Sequence, residues 1–297
     1  MDVNLKKQYN IGWLGNVDAG MANDDLYMAR LFALRSTDHS QLAIFSNFNN
    51  MNDGGTPTQG SDWTPEKLPM SRLTTKKVGV NLNVDDRLNR FRLRSNADFT
   101  HYDNHEETNT YRTNFLSAGD TYERSQNVAK YCNLYFNLNN NLTLTPGGRD
   151  SKSYMYIDQK ANHSRRKQHA SFLSALMSES WENHEELWKQ LFPISTGDLH
   201  KYLINRVEKQ SQSDLESWFA SMTYFGSFKV NEAGDNLDIS VGGEVFDKTD
   251  EGFSNYRLSY AQDNLAGSND YRRYYTPWAS NGYGYNVGVR YSKSWTD

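Results

Sequence analysis

The sequence predicts an all-β fold: an antiparallel up-and-down transmembrane β-barrel, of which the chain forms an incomplete part, as a single domain over residues 1–297. Three observations lead to this prediction. Apolar and polar residues alternate with a period of two along much of the chain, as in strands with one apolar and one polar face. Several alternating segments exceed the roughly 5–6 residues usual in soluble sheets. Short and long connections alternate between them, as they do in membrane barrels.

Composition excludes several other classes of protein. The chain has 297 residues, a net charge of −4, a mean hydropathy of −0.84 and 13% aromatic residues. Because it lacks a basic excess, nucleic acid is not expected as a partner. The single cysteine, Cys132, excludes an internal disulfide and a zinc-finger-type cluster. The sequence contains neither a signal-peptide segment at its start nor an apolar run long enough for a membrane helix.

Alternation is clearest in FRLRSNADFT, where Phe91 and Phe99 fall on one face and Arg92 and Arg94 on the other. The segments that share this pattern are, in chain order, 78–84, 91–99, 132–144, 218–230, 237–245 and 283–292. The extended segments 126–145 and 213–230 are longer than the roughly 10 residues that cross hydrocarbon. These strands are therefore expected to protrude beyond a bilayer.

The connections fall into two classes. Short ones are predicted at 85–89, 146–150 and 231–236, where Gly, Pro, Asn and Asp favour turns. Long ones are predicted at 53–73, 174–200 and 264–281. In a membrane barrel, the long connections would share the extracellular side and offer ligand-binding loops.

One helix is predicted, in SESWENHEELWKQLF over residues 178–192, before Pro193. The residues at helical spacing are Trp181, His184, Leu187, Trp188 and Leu191. The pattern predicts a loop helix whose Trp/Leu stripe packs on the barrel rim. The alternative is a helix that lies on lipid or docks a partner.

A strand with one polar face suits a soluble sandwich as well as a membrane barrel. Segment length, charged polar faces and aromatic residues near strand ends favour the barrel. The aromatic residues expected in interfacial girdles are Tyr131, Trp218, Tyr224, Tyr283, Tyr291 and Trp295. The abrupt start and end of the chain within strand-like sequence predict an internal piece of a longer protein, with a signal peptide upstream.

The barrel hypothesis assigns each side chain to a face. The residues expected to face lipid are Val78, Val80, Leu82, Phe91, Leu93, Phe99, Ile239, Val241, Val287 and Val289. The residues expected to face a lumen are Asn81, Arg90, Arg92, Arg94, Asp238, Glu244 and Arg290. About ten to twelve strands are expected, against about 22 in large receptor barrels, so the first and last strands should be open edges.

Short motifs in the first quarter of the chain occur in a definite order. They are Gly12-Trp13-Leu14-Gly15, Ala19-Gly20, Asn23-Asp24-Asp25-Leu26-Tyr27, Arg30, Asn47-Phe48-Asn49-Asn50-Met51-Asn52 and Leu73-Thr74-Thr75-Lys76. This order resembles TonB-dependent-receptor-type outer-membrane β-barrel proteins of gut Gram-negative bacteria, which tend to have Gly and Arg where this chain has Ala22 and Leu26.

The resemblance implies the barrel portion of a longer outer-membrane receptor. In the full protein a signal peptide, a small β-sandwich domain and a plug would precede it. The implied partners are outer-membrane lipid, the plug domain, an energising inner-membrane complex and a nutrient ligand. The implied location is the outer membrane of the cell, and no cofactor is implied.

Candidate metal ligands are densest in HYDNHEE, where His101, Asp103, His105 and Glu107 share one face of an extended strand. The two histidines would lie roughly 13 Å apart, too far to bind one ion. Only a tight turn at Asp103-Asn104 would bring them together, so a solvated extracellular hairpin tip is expected over 101–107, with no metal site. Asn23–Asp25 and Asp85-Asp86 lack the ligand spacing of a calcium loop and suit turns.

The basic run 163–169 is interpreted as a strand that projects into water with charge on both faces. Its alternative is a contact with acidic sugar phosphates or an anionic ligand. The usual nucleophile, phosphate-loop and zinc-protease motifs do not occur. Cys132 shares a face with Leu134 and Phe136 and is interpreted as an apolar filler. No catalytic, cofactor-binding or metal-binding residue is assigned, and the chain is not expected to be an enzyme.

The leading hypothesis is a receptor or transporter barrel whose extracellular loops bind a nutrient ligand for uptake. One alternative is a secreted soluble β-sandwich that binds glycans, with Trp63, Trp181 and Trp278 stacked on sugar rings. The other is an outer-membrane barrel hydrolase, which would need Ser or Asp to converge with His at the barrel mouth.

Overall fold

A computed structural model describes residues 11–57, 63–64, 72–148, 151–181, 184–192, 201–232, 234–261 and 269–294. The elements are β1 (Gly12–Ala22), β2 (Leu26–Ser36), β3 (Ser40–Asn49), β4 (Thr56–Pro57), β5 (Trp63–Thr64), β6 (Arg72–Asp85), β7 (Phe91–Asn114), β8 (Thr121–Leu144), β9 (Tyr154–Met177), α1 (His184–Leu191), β10 (Leu203–Lys229), β11 (Asn236–Tyr260) and β12 (Asp270–Ser292). Ten strands form one antiparallel sheet in the order β1-β2-β3-β6-β7-β8-β9-β10-β11-β12. The all-β, up-and-down prediction is confirmed.

The main sheet is open. Among the residues that the structure describes, β1 pairs only with β2 and β12 only with β11. The small ribbon β4–β5 is separate from it. The ten strands agree with the predicted number, and the open edges agree with an incomplete barrel wall.

The pairing register assigns every strand residue to one of two faces, because cross-strand partners point to the same side. Val80 pairs with Ile44 on β3 and Ala97 on β7, whereas Asn81 pairs with Ala43 and Asn96. We call the first side the valine face and the second the asparagine face. The register is continuous across the sheet except for a shift between Leu203 and Asn205. Every strand residue in the first predicted list lies on the valine face, every strand residue in the second lies on the asparagine face, and Arg90 lies in a turn.

The valine face carries a broad apolar band. On β10 the band extends over eleven residues from Phe228 to Trp218, whose ten steps span about 33 Å along the strand at ~3.3 Å per residue. Its side chains remain accessible: Val80 is 37% exposed, Val241 43% and Tyr283 81%. Within the described part of the chain, no second sheet packs on this band. The face is apolar but uncovered, which a soluble sandwich would not leave.

Strand lengths divide the sheet into two parts. β1, β2, β3 and β6 have 10–14 residues, whereas β7 to β12 have 23–27. The long strands confirm the expected extension of 126–145 and 213–230. Two predictions here are wrong. Residues 103–104 lie inside β7 and are no hairpin tip, and most of the predicted loop 264–281 belongs to β12.

The connections separate by end of the sheet. The turn end has connections 37–39, 86–90, 145–153 and 230–235, and the loop end has 23–25, 50–71, 115–120, 178–202 and 261–269. Asp24 and Asp25 adopt positive φ values of 64° and 58° in the first loop-end turn. Asp86 accepts hydrogen bonds from the backbone of Leu88 and the guanidinium of Arg90, which holds the pKa of Asp86 well below its usual range. Asp24, Asp25 and Asp86 thus have turn roles, as predicted, whereas Asp85 is the last residue of β6 and its carboxylate pairs with Arg92.

Asp235 is expected to make the stability of the turn end depend on pH. The Tyr291 hydroxyl donates to its carboxylate, as do the Ser294 amide at 2.8 Å and the Asn231 side chain at 2.9 Å. These bonds, that of Tyr291 foremost, hold the pKa of Asp235 below its ordinary value of 3.8. The stabilisation is complete above that value and is lost as the pH falls through the lowered folded-state pKa.

Asp235→Asn should therefore reduce the loss of unfolding free energy between about pH 7 and pH 3. Denaturant titrations of both proteins at the two pH values measure the difference. Equal losses in the variant and the wild type would contradict the role of Asp235.

The helix α1 packs at the loop end of the valine face. Leu187 and Leu191 are fully buried against Ala175, Met177 and Leu203. Trp181 and Trp188 pack at the margin of this cluster. The predicted rim-packed helix is confirmed, although α1 has 8 residues. None of the helical residues described belongs to a helix that is long and apolar enough to cross a membrane.

Candidate functional site

The connection after β3 folds back over the asparagine face and is anchored by Asn49. The Asn49 side-chain amide donates to Oδ1 of Asn47 at 2.8 Å and to the carbonyl of Asp53 at 2.7 Å. Its Oδ1 accepts from the backbone amides of Met51 at 3.1 Å and Asp53 at 3.2 Å. Asn47 and Asn49 are both fully buried. The amide of Asn49 thus uses its full hydrogen-bonding capacity.

Charged groups attach the same loop to the wall. Arg30 on β2 forms an ion pair with Asp53, and its guanidinium lies 4.9 Å from the Trp63 ring centroid. Asn47 donates to the carbonyl of Gly55 at 3.1 Å. The motif Asn47–Asn52, which was part of the sequence resemblance, therefore holds an inward-folded loop against β2, β3 and β6.

Beside this loop, the asparagine face is a wall of amides and charged groups. The asparagines that share it in the turn-end half of β6 to β9 are Asn81, Asn83, Asn96, Asn137, Asn139, Asn141 and Asn162. Asn137 donates to Asp98 at 3.0 Å, and Asn141 donates to the Tyr156 hydroxyl at 2.8 Å. The wall offers both donors and acceptors, which suits a water-filled space and a polar solute.

At the loop-end margin of the apolar band, charged and polar side chains replace the apolar residues of the valine face. His163 on β9 lies 3.1 Å from Glu216 on β10, and Arg165 lies 2.8 Å from Asp214. The Trp218 ring stacks on His163 with centroids 3.8 Å apart. The hydrogen bond from His163 and the charge of Arg165 hold the two strands together in an ionic ladder.

The ionic ladder shows which partners the basic run 163–169 has on the valine face. The run does carry charge on both faces, since Arg166 lies on the asparagine face, 5.2 Å from the Tyr131 ring centroid. On the valine face, however, Arg165 and Lys167 pair with the carboxylate of Asp214 on β10, and His163 lies beside Glu216. The sequence did not show this pairing, because the partners are 49 and 53 residues away.

Beside the ladder, three potential metal ligands converge on the valine face of β7 and β8. Cys132 Sγ lies 3.3 Å from His101 Nε2, and His101 Nδ1 lies 3.6 Å from the Asp103 carboxylate. The three ligand atoms all lie within 4.8 Å of one another. Asp103 and Cys132 also line a pocket of about 350 Å³.

This cluster differs from the set of ligands considered in the sequence. His101, Asp103, His105 and Glu107 do share one face, but β7 runs straight through them. His105 therefore does not join His101. Cys132, interpreted as an apolar filler, does share its face with Leu134 and Phe136, yet its register partners are Asp103 and Lys167. Only that cross-strand register brings the thiol into a polar cluster.

The aromatic residues are distributed over both faces. Trp218, Tyr224, Tyr283 and Tyr291 share the valine face. Tyr131 lies on the opposite, asparagine face, because its odd position in β8 points it away from Cys132, so the expected girdle residues do not all share one face. Trp295 lies outside the described residues.

The three tryptophans proposed for glycan stacking have separate intramolecular contacts. Trp63 contacts Arg30, Trp181 packs near α1, and Trp278 lies under the ammonium of Lys248 at 5.0 Å. They belong to different segments, and each is engaged by its own neighbour. No family model, no curated protein and no solved structure matches this chain.

Proposed function

We propose that this chain forms part of the wall of an outer-membrane β-barrel receptor or transporter of the TonB-dependent-receptor type. The observation that carries the proposal is the uncovered apolar band on the valine face, opposite a wall of amides and charges. The valine face would contact lipid, and the asparagine face would line a water-filled lumen. Loop-end connections would bind a nutrient ligand for uptake.

The dimensions of the band suit a bilayer. Its length of about 33 Å along β10 corresponds to about 25 Å across the membrane if the strands tilt by about 40°. That is the height of the apolar band in outer-membrane barrels. The longer strands would then protrude on the loop side, which would place the ionic ladder at the level of the lipid headgroups.

The few polar groups within the apolar band are also compatible with contact to lipid, because they pair with one another. Ser95 and Asn140 lie in one row of the valine face, and the Ser95 hydroxyl donates to Asn140 at 2.5 Å. In the next strand, Gln159 donates to the sulfur of Met222 at 3.7 Å. Groups that pair with one another in this way avoid the cost of an unsatisfied polar atom in hydrocarbon.

The open sheet implies further partners. Edges β1 and β12 would pair with additional strands to close a barrel, since a membrane-spanning sheet tolerates no open edge. The inward-folded loop anchored by Asn49 narrows the lumen side, where a plug domain would sit. An energising inner-membrane complex would act through that plug.

The proposal is tested by asking which face meets lipid. In a Cys132→Ser background, cysteine is introduced at the valine face with Val80→Cys or at the asparagine face with Asn81→Cys, and labelled with a polarity-sensitive fluorophore. After the full-length receptor that contains this wall is folded into vesicles, the label at position 80 should emit at shorter wavelength and be quenched by lipids that carry a quencher in their chains. The matched label at position 81 should report water.

Two outcomes would contradict the proposal. One is equal emission and quenching at both positions. The other is a folded, monomeric protein in plain buffer without detergent, which would favour the soluble sandwich.

A further inference from the structure

We propose that His101, Asp103 and Cys132 bind a thiophilic divalent cation of the Zn²⁺ class on the valine face of β7 and β8. The site would lie just beyond the apolar band, two residues along β7 from Phe99. This inference concerns a different part of the sheet from the proposed lumen and does not depend on it.

The donor set matches zinc chemistry. The site offers one thiol, one imidazole and one carboxylate, the ligand types that Zn²⁺ binds at about 2.0–2.3 Å. A distance of 3.3 Å between Cys132 Sγ and His101 Nε2 is close to the edge of a tetrahedron with such bonds. Sulfur and nitrogen donors also disfavour Ca²⁺ and Mg²⁺, which prefer oxygen.

The charge of the three ligands and their access to a pocket suit a metal site that keeps one coordination position open, as catalytic zinc sites do. On binding, Cys132 would release its proton to solvent, so thiolate and carboxylate together would neutralise the metal charge. Three protein ligands leave a fourth position for water or a small anion. That position would open toward the pocket of about 350 Å³ that Asp103 and Cys132 line with Thr74, Lys130 and His169.

The same three groups resemble a thiol–imidazole–carboxylate relay, but a nucleophilic site is less well supported. Such a site needs hydrogen-bond donors that face the reacting oxygen. In this region β7 pairs with β6 and β8, and β8 pairs with β7 and β9. The ladders therefore use the backbone amides around the thiol, and none is directed at a substrate oxygen.

Two lysines should weaken the site in a measurable way. Lys167 is the register partner of Cys132 on β9, and Lys76 is the partner of His101 on β6. Each ammonium repels an incoming cation. Removing one of them with Lys167→Gln should tighten metal binding about three- to tenfold at low salt.

The experiment uses the full chain folded in detergent micelles and titrated with Co²⁺ and Zn²⁺. Bound Co²⁺ should produce a thiolate-to-cobalt charge-transfer band, which Zn²⁺ removes by displacement. Because Cys132 is the only cysteine, Zn²⁺ should also slow alkylation of the chain about tenfold or more. Cys132→Ser should abolish the band, and His101→Gln and Asp103→Asn should each weaken binding at least about tenfold.

His163→Gln is the matched control. His163 lies on the same valine face, but on β9 it is four residues away from Lys167, the register partner of Cys132, and so lies outside the ligand cluster. The substitution should leave metal affinity unchanged, and near-native circular dichroism verifies that each variant folds. The proposal is overturned if wild type shows no charge-transfer band and no protection by Zn²⁺. It is also overturned if protection persists in both His101→Gln and Asp103→Asn, which would indicate a thiol that binds metal alone.

Discussion

Val80→Arg is expected to lower the free energy of unfolding in lipid bilayers by about 2–4 kcal/mol. Val80 lies within the apolar band on β6, between Ile44 and Ala97. If the valine face meets lipid as proposed, a guanidinium there would have to leave water for hydrocarbon or distort the bilayer around it. Denaturant titrations of the protein in vesicles, followed by tryptophan fluorescence, measure the change.

The matched control is Asn81→Arg, one residue along the same strand. Asn81 is exposed on the asparagine face, so the new charge should be hydrated and change stability by less than about 0.5 kcal/mol. In detergent-free buffer neither variant should fold. Similar losses for the two variants would contradict the assignment of the faces.

Asn49→Ala is expected to destabilise the protein by about 2–4 kcal/mol, chiefly by releasing the inward-folded loop. The substitution leaves the amides of Met51 and Asp53 and the carbonyl of Asp53 without their buried partner. Each group would have to find water or remain unsatisfied. Limited proteolysis should cut the chain within residues 50–57 faster than in the wild type, and denaturant titration should show the loss of stability.

Asn81→Ala serves as its control, since it removes an amide of the same type from an exposed position on the same face. The loop should then resist proteolysis as it does in the wild type. If Asn49→Ala leaves both proteolysis and stability unchanged, the four hydrogen bonds of Asn49 do not hold the loop.

Alternation in the sequence was sufficient to separate the two faces. A side chain points to the opposite side from its neighbours in any strand, so Phe91 and Arg92 are assigned to opposite faces without knowledge of the partner strand. A second local signal, apolar residues at helical spacing, predicted the stripe of Leu187 and Leu191. Alternation was less reliable for strand ends: polar residues such as Asp103 and Asn104 resemble a turn, although pairing on both sides keeps them extended.

The sequence by itself therefore determined the all-β class, the apolar and polar faces, three of the four connections of the turn end and the position of α1, because all of these depend on neighbours within a few residues. Only the tertiary structure decided which side chains meet across strands. The contact of Cys132 with His101 spans 31 residues, and that of His163 with Glu216 spans 53. Such contacts depend on register, and a register is selected by the whole length of two strands and the turn between them.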